Sequence, residues 1–188
     1  KNQTRSLDIV RIGTCGGLQL NTPEGTFVCS EYSVGFDGLL NFYAGRNAVC
    51  DLQMERALIN HLGWTGNMCQ PYPYVIKADE TLVERIAEGM VRGITVACGG
   101  FFGPQGRQLR IPLADPNQNE DESFEYNGLH ITNFEMESSA LAGLARLMGH
   151  HATTVCMVIA NRRAGRADTA YKNHIDDLIR LVLEDYNT

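Results

Sequence analysis

Short apolar runs alternate along this chain with segments in which apolar residues recur every three or four positions. The alternation predicts strands and helices layered in one α/β domain. Strands are expected at residues 7–12, 26–34, 94–98, 130–134 and 154–160. The glycine-rich segment Gly13–Gly17 is expected to be a turn that ends the first strand.

Helical spacing occurs in segments 50–62, 81–90, 136–148 and 171–182. In the second of these, Thr81 and Glu84 match a capping box at a helix start. In the third, the spacing predicts one buried helix face, made of Met136, Ala140, Leu144 and Met148.

The first predicted strand lies almost at the start of the chain. A central parallel strand needs a neighbour on each edge, and nothing before Leu7 could supply one. We therefore expect residues 1–188 to be a single domain that forms the later part of a larger fold.

Composition narrows the class of protein. The chain has a net charge of −6 and 44% hydrophobic residues, which predicts a globular protein and argues against nucleic acid and anionic membrane as partners. The longest apolar runs are too short to span a membrane, and we expect no signal peptide. The cysteines show no metal-type spacing, so we expect reduced thiols and a cytoplasmic location. Segment 115–126 is acidic without a base and is expected to be a solvated loop.

Arg11 and Thr14 flank the first glycine of the glycine-rich segment. A buried arginine must find an anion, and glycines after a strand let main-chain N–H groups approach a phosphate. The alternative is a structural arginine paired with a core carboxylate beside an ordinary turn.

Phe101, Gln105 and Arg107 follow a predicted strand, where α/β folds place their ligands. The Gln amide and the Arg guanidinium could bind the carbonyl and N–H groups of a planar heterocycle, with Phe101 packing on its face. The alternative is an exposed loop whose phenylalanines fold back on the core.

Glu135, Met136 and Glu137 lie between a predicted strand and a predicted helix. A carboxylate there could accept hydrogen bonds from a sugar diol, or it could cap the helix. Asn161 and Arg162 end the most apolar strand, and they could close over a polar ligand or form an ordinary strand end. No residues have the spacing of a metal site or a side-chain nucleophile.

These segments occur in the order R-I-G-T-x-G, F-x-x-x-Q-x-R, N-F-E-M-E-S and V-I-x-N-R. Together they resemble the uridine phosphorylases of the nucleoside phosphorylase family over nearly the whole chain. The resemblance implies a three-layer α/β/α fold with a central mixed sheet. The earlier strands of that fold, which carry a glycine phosphate loop, have no match in this chain.

The resemblance also implies a role for each segment. Arg11 and Thr14 would bind phosphate, with Thr14 also near the ribose. Gln105, Arg107 and Phe101 would bind uracil, with Arg162 at the outer edge of the base. Glu137, Met136 and Glu135 would form the ribose site. Arg107, Gln105 and Arg11 would carry the catalysis.

The implied reaction is the phosphorolysis of uridine to uracil and ribose 1-phosphate, as in pyrimidine salvage, by a pentosyltransferase. Phosphate is then a co-substrate, and no cofactor or metal is required. A homo-oligomer in which dimers assemble into a hexamer is implied as well. Purine-cleaving relatives carry an Asp where this chain has Asn161, which favours a pyrimidine. The alternatives are a purine nucleoside phosphorylase or nucleosidase, or a fragment that binds nucleosides without catalysis.

Overall fold

A computed structural model describes residues 5–64, 70–115 and 120–187 of the chain. Within these ranges the strands are β1 Asp8–Gly17, β2 Phe27–Gly35, β3 Tyr74–Lys77, β4 Val91–Ala97, β5 Glu125–Tyr126, β6 Leu129–Glu135, β7 His151–Asn161 and β8 Arg166–Ala167. The α-helices are α1 Arg46–Val49, α2 Leu52–His61, α3 Glu80–Ile86, α4 Ser138–Leu147 and α5 Ile175–Asn187. Short 3₁₀ helices lie at Leu39–Phe42, Gly103–Gln105, Glu120–Ser123 and Tyr171–Asn173.

The strands form one mixed sheet in the order β3-β2-β4-β6-β1-β7-β8, with β5 paired to β6. The pairs β1–β7, β2–β4 and β4–β6 are parallel, whereas β1–β6 and β2–β3 are antiparallel. Strand β2 also pairs with β7. Because of that pairing, β2, β4, β6, β1 and β7 close into a ring.

Helices cover the sheet on two sides. On one side, Met54 and Leu58 of α2 belong to a core cluster with Ile94 of β4. On the other, Leu178 of α5 and Ile86 of α3 pack together against β7. Burying one such side chain contributes roughly 1.5–3 kcal/mol to folding. The mixed sheet between helices confirms the predicted fold class.

The sheet register brings several strand ends together. Ala97 at the end of β4 lies beside Glu135 at the end of β6, and the N–H of Cys98 donates to the carbonyl of Glu135 at 3.0 Å. Strand β1 pairs with β6 at Gly16 and Gly17. The loop after β4, the start of α4 and the end of β1 are therefore neighbours.

The predicted turn at Gly13–Gly17 is wrong, because β1 continues through it to Gly17. Strand β1 pairs with β7 along its whole length. Its other edge pairs with β6 at Gly16 and Gly17. From Asp8 to Cys15 that edge has no strand partner among residues 5–64, 70–115 and 120–187.

The predicted capping box is also wrong. Helix α3 is capped by Asp79, whose side chain accepts a hydrogen bond from the N–H of Leu82 at 3.0 Å. The helix ends at Ile86. An Asp at this position caps as well as Thr does, so the start signal was offset by two residues.

The predicted buried face of the third helix differs from the observed one. Met136 and Met148 lie outside α4 and are exposed. The helix instead buries small residues against the sheet: Ser138, Ser139, Ala142, Gly143 and Ala145. Small side chains let the helix lie close to the strands. The spacing of large apolar residues along the sequence does not reveal such a face.

The acidic segment is more ordered than predicted over its described part. Residues 116–119 lie outside the described residues, but Phe124 is buried in the core and stacks on Tyr126. The structure has free thiols at Cys15, Cys29, Cys50, Cys98 and Cys156, as predicted, and Cys69 lies outside the described residues. Among described helices, none is both long enough and apolar enough to cross a membrane.

Candidate active site

Glu135, the last residue of β6, has a buried carboxylate that is fully hydrogen-bonded. It accepts the N–H of Glu137 at 2.9 Å, the N–H of Ser138 at 2.9 Å and the hydroxyl of Ser138 at 2.6 Å. These donors are the free N–H groups at the start of α4, so Glu135 caps that helix from the strand before it. Its Oε2 also lies 3.2 Å from Nη1 of Arg11.

The guanidinium of Arg11 joins two carboxylates. Besides contacting Glu135, it donates through Nη2 to Glu137, whose side chain is largely exposed. Nη1 also lies 3.5 Å from the sulfur of Cys156. Burial alone would lower the pKa of Arg11, but Cys156, Glu135 and Glu137 outweigh it and raise the pKa. Arg11 therefore stays charged.

Gly13 makes room for this arginine. A Cβ atom at residue 13 would lie 2.7 Å from Nη1 of Arg11 and 3.0 Å from its Cζ. The side chain of Arg11 therefore lies flat over the main chain at Gly13. The glycine that looked like part of a phosphate turn is needed here for close packing.

Thr14 lies three residues beyond Arg11 in a continuous strand. Side chains alternate between the two faces of a strand, so an odd spacing of three puts Arg11 and Thr14 on opposite faces. Thr14 pairs with Met157 in the sheet register. An anion shared by Arg11 and Thr14 would have to lie at the edge of β1, where no described strand is paired.

Gln105 and Arg107 are held against each other in the loop after β4. Gln105 ends a 3₁₀ turn, and Gly106 follows at φ 69°, a left-handed conformation that glycine adopts at little cost. Nη1 of Arg107 donates to the Oε1 of Gln105 and, at 2.7 Å, to the carbonyl of Phe101. The guanidinium stacks on the Phe101 ring, with Cζ 4.1 Å from the centroid. That face of Phe101 is therefore covered by Arg107.

Arg162, just after β7, supports this loop from behind. Its Nη2 donates to the main-chain carbonyl of Gln105, and its Cζ lies 4.9 Å from the centre of the Phe134 ring. Its N–H donates to the carbonyl of Gly17 at 3.0 Å. Burial, together with the positive charge of Arg162, lowers the pKa of Arg107.

Asn161 uses its whole amide inside the protein. Nδ2 donates to the carbonyls of Gln19 at 2.9 Å and Thr22 at 2.7 Å, and Oδ1 accepts the N–H of Ala164 at 2.8 Å. The side chain is buried and ties the end of β7 to the loop after β1. Its amide therefore stabilises these loops, and a role for Asn161 in the choice of base stays a prediction.

The predicted residues form two neighbouring groups. Arg11, Glu135 and Glu137 make one, and Gln105, Arg107 and Arg162 make the other, with Phe101 covered by Arg107. Arg107 also approaches the end of β1, because a Cβ at Gly16 would lie 4.0 Å from its Nη2. Met136 is partly exposed beside Glu137.

Two features near the site escaped the sequence analysis. A largely apolar cavity of about 1070 Å³ lies beside Arg107, and Phe102 rather than Phe101 lines it, together with Gly99 and Leu109. Glu122 approaches Arg162, with Oε1 4.0 Å from Nη1. Burial raises the pKa of Glu122, opposed by Arg162 and Arg163. No local pattern marks a single Glu in an acidic segment as a partner of the site.

Metal binding was not expected from the sequence. Within the part of the chain that the structure describes, no cluster of three or more His, Cys, Asp or Glu side chains could hold an ion. The expectation that the protein needs no cofactor stays a prediction.

The chain is similar in sequence to a curated protein. A uridine phosphorylase from Thermococcus kodakarensis is 29% identical over 158 residues, which cover 81% of this chain and 48% of that protein. The chain thus spans about half the length of this curated relative.

Solved structures match the fold. A nucleoside phosphorylase from Trypanosoma brucei, described as showing uridine phosphorylase activity, superposes with a TM-score of 0.79 at 21% identity, covering 95% of this chain and 61% of that one. A uridine phosphorylase from Phytophthora capsici gives a TM-score of 0.69 at 19% identity, covering 97% and 66%.

The family profile described as "Phosphorylase superfamily" matches residues 5–184. Because that match spans nearly the whole chain and the fold agrees with it, the chain belongs to the phosphorylase superfamily.

Proposed function

We propose that this chain forms the base and ribose sites of a phosphorylase that splits pyrimidine nucleosides, uridine foremost, into free base and ribose 1-phosphate. One observation carries the proposal: the side chains of Gln105 and Arg107 are hydrogen-bonded side by side, and Arg107 lines a cavity. The relatives named uridine phosphorylase support it, as does a nucleoside phosphorylase with uridine phosphorylase activity.

The pair suits uracil by its hydrogen-bonding groups. Uracil presents a carbonyl, an N–H and a second carbonyl along one side of a planar ring. The amide of Gln105 can accept the N–H and donate to a carbonyl, while the guanidinium of Arg107 donates to the other carbonyl. Binding requires these two side chains to exchange their mutual hydrogen bond for bonds to the base.

Binding of phosphate and ribose would likewise replace a contact within the protein, the one between Arg11 and Glu137. Phosphate would take the place of Glu137 on Arg11, at the open edge of β1 that Thr14 also borders. Glu137, released from Arg11, would then accept the ribose hydroxyls, with Met136 packing on the sugar. Glu135 would stay bonded to the start of α4 and keep Arg11 in place.

The chemistry follows from charge. As the bond between the anomeric carbon and the base nitrogen lengthens, the sugar becomes oxocarbenium-like and the base gains the electron pair. Arg107 and Gln105 stabilise the negative base, and Arg11 holds a phosphate oxygen near the anomeric carbon. That oxygen forms the new bond to the anomeric carbon as the bond to the base nitrogen breaks. The uracil anion takes up the proton that hydrogen phosphate gives up, and the products are ribose 1-phosphate and uracil.

One observation favours a second candidate, a protein that binds nucleosides without cleaving them. The guanidinium of Arg11 is already shared by two carboxylates. These carboxylates oppose phosphate binding unless further cations contribute to the site.

A single assay separates the two candidates. We expect uridine absorbance to fall only when phosphate is present, with inosine as the matched control nucleoside. Calorimetric binding of uridine without turnover would support the binding protein instead. Turnover of inosine in preference to uridine would overturn the pyrimidine assignment. The pyrimidine-salvage role, cytoplasmic location and dimer-based assembly belong to the same proposal, and light scattering tests the assembly.

A further inference from the structure

A polar cluster formed by Asp37, which is half-buried, and by Tyr74 and Ser139 lies next to the site but belongs to none of its predicted groups. The Tyr74 hydroxyl donates to Oδ1 of Asp37 at 2.9 Å and lies 3.0 Å from Oγ of Ser139. The Ser139 hydroxyl lies 3.1 Å from Oδ2 of Asp37. Tyr74 and Ser139 are completely buried. Such a closed network is costly to leave incomplete, so it holds its members in fixed positions.

The cluster is built into the fold. Tyr74 pairs with Gly35 in the sheet register, and a Cβ at residue 35 would lie 2.3 Å from the Tyr74 ring. The ring therefore needs a glycine beneath it. Burial raises the pKa of Tyr74, so its hydroxyl remains a donor throughout the working pH range.

The Asp37 carboxylate accepts three hydrogen-bond donors from within the protein. Its Oδ1 also accepts the N–H of Leu39 at 2.6 Å, in addition to the Tyr74 hydroxyl. It borders the cavity beside Arg107, but its oxygens face Tyr74, Ser139 and the chain at Leu39. Asp37 therefore acts through the residues that it holds.

Ser139 links this cluster to α4, because it lies in the first turn of that helix. Its neighbour Ser138 donates hydrogen bonds from both its N–H and its hydroxyl to the buried carboxylate of Glu135. Glu135 and Asp37 therefore accept hydrogen bonds from two consecutive residues, Ser138 and Ser139, in the first turn of α4. Glu137 directly precedes that turn and also donates its N–H to Glu135.

We propose that Asp37, through Ser139 and Tyr74, is a positioning residue that fixes the start of α4 and thereby aims Glu137 at the ribose hydroxyls. This inference rests on the proposed function for its substrate. It predicts that the cluster sets the preference for ribonucleosides over 2′-deoxyribonucleosides, because a carboxylate aimed at both hydroxyls loses one partner with a deoxyribose.

The test compares Ser139→Ala with Ser30→Ala. Ser30 is also buried, and its hydroxyl lies 2.6 Å from Oγ1 of Thr95, within the sheet and with no hydrogen bond to the Asp37 cluster among the described residues. We expect Ser139→Ala to reduce the kcat/KM ratio of uridine to 2′-deoxyuridine about fivefold, the effect of one lost hydrogen bond. Ser30→Ala should leave the ratio unchanged. Tyr74→Phe should act in the same direction as Ser139→Ala.

A second readout does not depend on activity. The N–H groups of Glu137 and Ser138, both bonded to Glu135, should exchange with solvent deuterium faster in Ser139→Ala than in Ser30→Ala or wild type. Equal exchange in both variants overturns the inference, as does an unchanged nucleoside ratio in an active enzyme. Absence of turnover in the wild type counts against the proposed function alone, and the exchange result then decides this inference.

Discussion

The guanidinium of Arg162 donates a hydrogen bond to the main-chain carbonyl of Gln105. This bond links the end of β7 to the loop after β4, and it fixes the main chain from which the Gln105 and Arg107 side chains extend. Arg162 thus supports the base site from behind, whereas the family resemblance put it at the outer edge of the base.

Arg162→Ala should weaken uridine turnover roughly 10–100-fold, the size of a lost charge-assisted hydrogen bond. The effect should fall on KM for uridine more than on KM for phosphate, because Gln105 belongs to the base site. Steady-state kinetics with each substrate varied in turn measures this. Arg163→Ala removes the adjacent, exposed arginine and should change little. Equal losses in the two variants would contradict the supporting role.

Asn161→Asp should destabilise the fold by about 3 kcal/mol without creating purine activity, because it replaces two buried N–H donors by acceptors facing carbonyls. The donors bind Gln19 and Thr22. Urea unfolding measures the loss. The matched control is Asn127→Asp, at an exposed residue with φ 52°, where Asp is also tolerated. A stable Asn161→Asp variant that cleaves inosine would show that the residue faces the base.

Gly13→Ala should displace the guanidinium of Arg11, because the added methyl carbon would lie 2.7 Å from its Nη1. We expect KM for phosphate to rise at least several-fold, with a smaller change in KM for uridine. Gly16→Ala, on the same strand, adds a methyl whose nearest neighbour lies at an ordinary 3.9 Å and should have less effect on phosphate. A rise in KM for uridine alone would place Arg11 outside the phosphate site.

Stability should decline in alkali because buried thiols resist ionisation. Burial raises the pKa of Cys29 from 9.0 to about 11 and that of Cys50 to about 12. Above pH 9 the unfolded thiol loses its proton while the folded thiol keeps it. Each such group therefore lowers the free energy of unfolding by about 1.4 kcal/mol per pH unit until its folded pKa is passed.

Cys29→Ala should reduce that slope between about pH 9 and 11 by the contribution of one group, as measured by urea unfolding across this range. Ile86→Val, another buried substitution, should lower stability equally at every pH and leave the slope unchanged. A wild-type stability that stays constant through this range would refute the account of the thiols.

The sequence allowed the fold class to be predicted, because strand and helix periodicity are local properties. The structure brings the segments predicted for the site close together, and their roles stay predictions. Glu135 and Glu137 were expected near a ribose. The sequence could not show that Arg11 contacts both of them, because that contact depends on the pairing of β1 with β6. The continuation of β1 through Gly13–Gly17 was missed because glycine usually signals a turn. Here Gly13 instead gives space to an arginine, which depends on side-chain packing.

The same limit applies to the residues that were missed. Asp37, Tyr74 and Ser139 come from three separate segments, and only the sheet register and the seating of α4 bring their oxygens together. Glu122 belongs to a segment whose charge alone predicted a solvated loop. Local sequence patterns cannot report a partner that tertiary packing supplies.

Phosphorus NMR of the protein with uridine and phosphate tests most directly whether the reaction is phosphorolysis. We predict a phosphate monoester signal that grows in step with free uracil and that is lost in Arg107→Ala. Uracil formed together with free ribose, and with no new ester signal, would show hydrolysis and would contradict phosphorolysis.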